Sequence, residues 1–402
     1  MAVPRQYRRL FTPERIYMGA LGLSGCAALV SVGLPPTERG ELAASIASAT
    51  LGAAIGGLSV DTFLLSRPGG WVFGRGPRWI LSLLVGCLIL SAAAATLLTA
   101  LAGIGSYWVG MGAACALTVF NAFASLALRI KKFLFVYSMR ALTGATLVGA
   151  YALLYATDRR DGGTWSVAWF GVQSFAGIVL SAVVLSWAWR ARTARTSGVT
   201  AAEFRTDLTA MGKLHIGVCA QMLTYRLDQI LVARFAGSGP LGVYALAVAA
   251  LEFAQAGAVV RAQRILVDRD REDTTPDRTG LILRAALPVA VAAVAGLGVL
   301  GFIRPEYNDA WLYGLLLIPG AMAVAAGKTW SALLLKLRGE QATTVVALTA
   351  MCVAVALYFV LIPAAGAYGA AVASSGAYLV YAVRTRLSLR QAPAPLLTQR
   401  VM

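Results

Sequence analysis

The chain has 402 residues, of which 58% are hydrophobic and only 13% charged, with a mean hydropathy of +0.71. A soluble domain carries about 25% charged residues, so the composition excludes an ordinary globular protein and predicts a polytopic membrane protein. The net charge of +17 would point to nucleic acid in a soluble chain, but its distribution here assigns it to membrane topology.

Twelve apolar runs have the length of membrane helices, at 16–34, 42–65, 79–102, 106–128, 133–156, 165–189, 210–236, 241–260, 281–302, 311–335, 343–362 and 368–383. A helix needs about 20 residues to cross roughly 30 Å of hydrocarbon, whereas a barrel strand needs about 10, so the runs predict an all-α bundle. The first run follows Arg5, Arg8 and Arg9, as in a signal peptide. It is 19 residues long, lacks a small-x-small cleavage site and precedes eleven further runs, and so reads as the first transmembrane helix. On one side the connections are short: 35–41, 103–105, 157–164, 237–240, 303–310 and 363–367 leave no room for a separate domain. On the other side, 190–209 holds Arg190, Arg192 and Arg195, then Glu203, Arg205 and Asp207, a segment suited to a short interfacial helix. Segment 261–280, dense in both charge signs, is expected to extend the eighth helix before looping back. The expected organisation is a six-helix lobe at 1–189, a linker at 190–209 and a second six-helix lobe at 210–402.

Of the 35 Lys and Arg, 27 fall on the side that holds both termini, five fall on the other, and Arg140, Arg226 and Lys328 lie within spans. This positive-inside pattern makes both termini cytoplasmic. The cations are 30 Arg against 5 Lys, which with abundant Ala hints at a GC-rich bacterial coding sequence and a bacterial cytoplasmic membrane. The five cysteines are scattered through spans and read as small apolar packers, with neither a disulfide framework nor a metal cluster. A weak internal repeat relates the halves. Residues 33–42 stand where 236–244 stand in the second half, and a shift of 202 brings Gly40 onto Gly242 and Arg67 onto Arg269. Six spans is an even number, so the repeat is parallel, as in transporters that bind substrate near the midplane between halves.

The most informative residues are Tyr225-Arg226-Leu227-Asp228-Gln229, in the middle of the seventh run. A charge at the centre of a span costs roughly 2.5–3.5 kcal/mol on insertion scales, so such residues are kept for a use. On a helical wheel His215, Met222, Arg226 and Gln229 share one side, flanked by Gln221, Tyr225 and Asp228. Ile216, Leu223, Leu227, Ile230 and Leu231 form the remaining, lipid-suited face. Arg226 lies roughly 15 Å from either helix end, too far to snorkel out fully.

Several stretches resemble the polysaccharide and oligosaccharidyl-lipid branch of the multidrug/oligosaccharidyl-lipid/polysaccharide exporter superfamily. They are Tyr225 to Leu231 followed by Gly239-Pro240-Leu241-Gly242-Val243-Tyr244-Ala245-Leu246-Ala247, Leu317-Ile318-Pro319-Gly320, Ile362 to Ser375, and Pro36-Thr37-Glu38-Arg39-Gly40-Glu41-Leu42. The resemblance is good over 210–383 and thin over 70–205. It implies a two-lobed, V-shaped transporter of twelve helices that flips polyprenyl-diphosphate-linked glycans, with polymerase or glycosyltransferases of the same pathway as neighbours.

In that frame Arg226 is either a cavity cation for a lipid diphosphate or acidic sugar, or one half of a buried ion pair. A planar guanidinium suits a diphosphate because it donates two parallel hydrogen bonds. Lys328 and Arg140 either line the same lumen or snorkel to the inner interface; Tyr225 and Gln229 complete the expected substrate contacts. Glu252 is the expected carboxylate for ion coupling, or else a counter-charge to Arg226; Asp228 is either a second coupling carboxylate or half of a structural ion pair between helices. Asp61 is expected to pair with loop cations, and His215, the lone histidine, to be a hydrogen-bonded residue near the inner end. No phosphate-binding glycine loop with lysine, metal-ligand cluster or Ser-His-Asp set is present, so no cofactor is expected and the chain is not read as an enzyme. A cation or drug exporter of the same superfamily is the main alternative and calls for an acidic or aromatic lumen. A glycosyltransferase, polymerase or ligase needs a larger outer loop, and a non-transporting scaffold would make the mid-membrane charges purely structural.

Overall fold

The computed structural model describes residues 13–66, 76–190, 200–267 and 278–391 and is helical almost throughout. In the first half the helices are α1 (Pro13–Val30), α2 (Pro36–Gly56), α3 (Val60–Ser66), α4 (Gly76–Ala102), α5 (Tyr107–Arg129), α6 (Phe133–Ala156) and α7 (Gly162–Arg190). In the second half they are α8 (Ala201–Ala236), α9 (Ser238–Ala254), α10 (Ala256–Val267), α11 (Arg278–Ile303), α12 (Ala310–Arg338) and α13 (Glu340–Arg390). Helix α13 is two limbs. Gly366, at φ 57°, turns the chain back, and the hydroxyls of Tyr358 and Ser374 come within 3.2 Å across the turn. Only a residue without a Cβ takes that conformation at little cost.

Each of the twelve apolar runs is therefore helical, with three corrections to the expected outline. The second run is broken: α2 and α3 are separated by Gly57-Leu58-Ser59, where Leu58 and Ser59 have φ of 47° and 54°. Left-handed backbone costs a side-chain-bearing residue about 1–2 kcal/mol, so neighbours must hold this break in place. The eighth run is broken too, with α9 and α10 bent by 55° at Gln255. Third, the expected interfacial helix and the seventh run are one 36-residue helix, α8, which starts at a capping box between Thr200 and Glu203. Residues 191–199 of the linker and 268–277 of the eighth connection lie outside the described residues. Among the described residues, eight helices, or nine counting the bent pair, are long and apolar enough to cross a membrane. Helix α2, rich in Ala, Gly and Ser, and α8, with its polar centre, are not among them, and α13 counts once for two limbs. The protein is an all-α polytopic membrane protein.

The two halves pack alike. In the first, α2 lies against α4 and α5 while α1 lies against α6; in the second, α9 lies against α11 and α12 while α8 lies against α13. The second helical run of each half is the broken one. Between the halves, α2 and α9 meet at their first turns, the end that the charge pattern assigns to the outside and is here termed outer. Gly40 abuts the Ser238 backbone and Gly242 abuts that of Pro36, so the pair aligned by the 202-residue shift is in reciprocal contact. That reciprocity is what a twofold relation produces. The Arg39 guanidinium donates to the Gly242 carbonyl and, at 3.0 Å, to the Ser31 hydroxyl. At the opposite, inner end, Tyr137 of α6 donates to Gln263 of α10 at 2.8 Å, above an apolar cluster that includes Tyr17, Phe63, Leu214 and Val260.

Candidate functional site

Between these two contacts lie three adjoining hollows, all lined in part by Met222 of α8. The first, about 280 Å³, is walled by α8, α9, α12 and α13 and receives Arg226, Glu252, Gln255, Lys328, Tyr225 and Tyr378. The second, about 340 Å³, reaches inward past Gln221, Lys328, Tyr381 and Asp61. The third, about 360 Å³, opens between the halves and is lined by Thr50, Asp61, Asn121 and Arg140 of the first half and Arg226 of the second.

The three intramembrane cations thus face connected space. Arg226 Nη2 is 2.5 Å from Glu252 Oε1, and the two side chains are 26% and 42% exposed. Lys328 Nζ donates to Gln255 Oε1 at 2.9 Å and sits 5.5 Å from the centre of the Tyr225 ring. Neither cation is free. Arg140 stacks 5.3 Å over Phe120, and its Nε is buried without a hydrogen-bond partner among the described residues. Three tyrosines form one wall: Tyr225 meets Tyr378 and Tyr381 edge to face at 5.4 and 6.1 Å, and Gln221 donates to the hydroxyl of Tyr381 at 2.5 Å. With Arg226, Lys328 and Arg140 set against Glu252 and Asp61, the lining of the three hollows carries a small positive excess.

Two expected contacts lie elsewhere. Gln229 is 3% exposed and lines none of these hollows, because one turn beyond Arg226 the helix enters the packed outer contact between the halves. Asp228, 1% exposed, faces away from the hollows into a knot of hydroxyls. Its Oδ2 accepts from Tyr244 at 2.5 Å and from Ser374 at 2.8 Å, and its Oδ1 accepts the Gln229 N–H at 2.8 Å. Tyr358 closes the knot by donating to the Thr224 carbonyl at 2.8 Å. A buried carboxylate with three donors satisfies the pairing that burial demands. The face of α8 read as lipid-suited is partly core: Ile230 and Leu231 are buried, while Ile216 is 52% exposed.

Asp61 makes no ion pair among the described residues and lines two of the hollows; Arg67 and Arg75 of the loop, its expected partners, lie outside the described residues. His215 bridges the halves. Its Nδ1 lies 3.0 Å from Ser59 Oγ, in the strained break after α2, and its Nε2 lies 3.0 Å from Cys219 Sγ. Tyr378 and Tyr381 escaped the sequence reading, and Gln255 stood out there only as a polar neighbour three residues after Glu252. The i, i+3 spacing of the two tyrosines was a legible signal of a shared helix face. The role of Gln255 was not legible, because it depends on the bend in the eighth run.

An apolar exterior, paired halves and charged hollows between them define a multi-pass membrane protein, and several solved structures share its fold. A lipid II flippase, MurJ, in an inward closed conformation aligns over 96% of this chain and 88% of its own, with a TM-score of 0.63 and 12% identity. A multidrug transporter of the MATE family in an outward-facing conformation aligns over 98% and 99%, with a TM-score of 0.55 and 13% identity. A superfamily transporter from Pyrococcus furiosus, described as having a binding pocket of reverse polarity, aligns over 98% and 99%, with a TM-score of 0.53 and 12% identity. No family model matches the sequence, and no curated protein matches it. At these identities the likeness is one of fold: the chain shares the architecture of a lipid flippase and of multidrug transporters.

Proposed function

We propose that the protein is a flippase for an anionic, polyprenyl-diphosphate-linked glycan, acting by alternating access in a bacterial cytoplasmic membrane during cell-surface polysaccharide synthesis. The observation that carries this reading is the placement of Arg226 and Lys328 on one mid-membrane hollow, with Arg140 on the adjoining one. Cations held in low dielectric attract an anionic headgroup far more strongly than they would in water. The guanidinium and the amine would take the diphosphate, Tyr225 and Tyr378 would flank the first sugar, and the polyprenyl tail would stay in lipid. Glu252, already opposite Arg226, is the residue proposed to couple transport to an ion. Asp228 is the less direct coupling candidate, since its hydroxyl knot faces away from the hollows. Enzymes of the same glycan pathway are the proposed partners, and nucleic acid is not one.

The same tyrosine wall and Glu252, 42% exposed, favour a second reading as an exporter of organic cations. Proteoliposomes separate the two. Translocation of a fluorescent undecaprenyl-diphosphate glycan, without efflux of an organic cation, is the expected result. Cation efflux without glycan movement would replace the flippase reading with the exporter.

A further inference from the structure

Both cations on the first hollow are held by side chains at one place, the break between α9 and α10. Glu252, in the last turn of α9, takes Arg226; Gln255, at the bend itself, takes Lys328. Seen from the hollow, a carboxylate and an amide oxygen occupy the donors that an anionic headgroup needs. We infer that Glu252 and Gln255 are an internal stand-in for the anion: a bound diphosphate displaces both, and Glu252 takes up a proton as it loses Arg226. This rests on the flippase reading and adds to it a linkage between headgroup binding, proton uptake and release of the 55° bend.

The physical argument is one of competition. A guanidinium donates its bidentate pair of bonds to one anion at a time. A diphosphate brings more charge than a single carboxylate and so wins the position. Glu252 then has lost its counter-charge and faces a new anion, and the proposal is that it takes a proton from water in answer to that like charge. Charge balances, with the proton neutralising the carboxylate that the ligand displaced. The ionisable groups facing Glu252 are Arg226 from α8, Lys328 from α12, Tyr378 from α13 and Tyr17 from α1, with Arg140 of α6 beside Tyr17. Asp228 lies on the far side of Arg226. Helix α11 has no ionisable residue between 285 and 303, and Arg39 of α2 contacts α9 at Gly242, ten residues or roughly 15 Å along the helix from Glu252. Gln255, which holds Lys328, acts as a positioning residue for that amine.

The test is calorimetry of the full-length protein in nanodiscs with farnesyl diphosphate at pH 8, in Tris and in triethanolamine. These buffers differ in ionisation enthalpy, so a difference in heat counts protons. The wild type is expected to take up about one more proton per ligand than Glu252→Gln, which cancels any proton exchanged by the ligand itself. Glu252→Gln is also expected to bind on the order of tenfold tighter, its competing charge gone. Glu252→Asp, which keeps the charge and guards against a folding failure of the glutamine variant, is expected to retain the proton uptake. Binding that needs Arg226 but shows the same proton count in wild type and Glu252→Gln would overturn the exchange and leave the flippase reading standing. No binding of the diphosphate by the wild type would remove both.

Discussion

The two contacts that join the halves are built differently. At the outer end backbone meets backbone: Gly40 and Gly242 let the first turns of α2 and α9 come so close that an added Cβ on either would strike the opposite helix, and the Arg39 guanidinium and Tyr307 hydroxyl donate across the seam to the Gly242 and Leu34 carbonyls. At the inner end the halves are joined by discrete side-chain bonds, Tyr137 to Gln263 and His215 to Ser59, beside a strained break. A glycine contact is rigid and intolerant of change, because nothing in it can adjust except the helices themselves. A side-chain contact can break one bond at a time, for about 1 kcal/mol each. Under the proposed alternating access, the inner end is the one expected to open, with the outer contact as the pivot.

Three substitutions sharpen or break that contrast. The largest effect is expected from Gly242→Val, whose branched side chain has no room beside Pro36; a loss of about 3 kcal/mol is expected, read as a fall in thermal stability in detergent. A variant as stable as the wild type would mean that the outer contact is loose. His215→Ala is expected to cost about 1 kcal/mol by removing the hydrogen bond from α8 to Ser59 in the break after α2. Double electron–electron resonance between labels on the inner ends of α3 and α8 is expected to show a wider distribution than in the wild type. An unchanged distribution would remove His215 from the latch. The smallest effect is expected from Tyr137→Phe, which deletes one hydroxyl. Alkylation of Cys219, which lies at the inner level of α8, should speed up roughly fivefold. No change in rate, or a slower one, would show that this bond does not hold the inner end.

Much of the architecture was legible in the sequence because bilayer thickness imposes one length on every span and the cation bias orients them. The Gly40–Gly242 correspondence was visible as a shift of 202, and the structure turns it into a contact. The breaks were not legible. Leu58 and Ser59 are poor residues for left-handed backbone, and only tertiary contacts such as that of His215 with Ser59 hold them there. The helical wheel put Arg226 and Gln229 on one polar face but could not say that the outer contact closes over Gln229 one turn later. It separated Asp228 from Arg226, two residues away, and offered Glu252 as the counter-charge, but could not name the partners of Asp228. Those partners depend on where α9 and α13 pack against α8.

The most direct test of the central claim is the initial rate of glycan-lipid translocation in proteoliposomes holding wild type, Arg226→Gln, or Arg226→Gln combined with Glu252→Gln. The double variant leaves no unpaired carboxylate behind and guards against a simple folding defect. A drop of at least about tenfold in both variants, with normal insertion and melting, is the expected result. Wild-type flux in the stably folded double variant would contradict the account, because the headgroup would then cross without the cation that the cavity is built around.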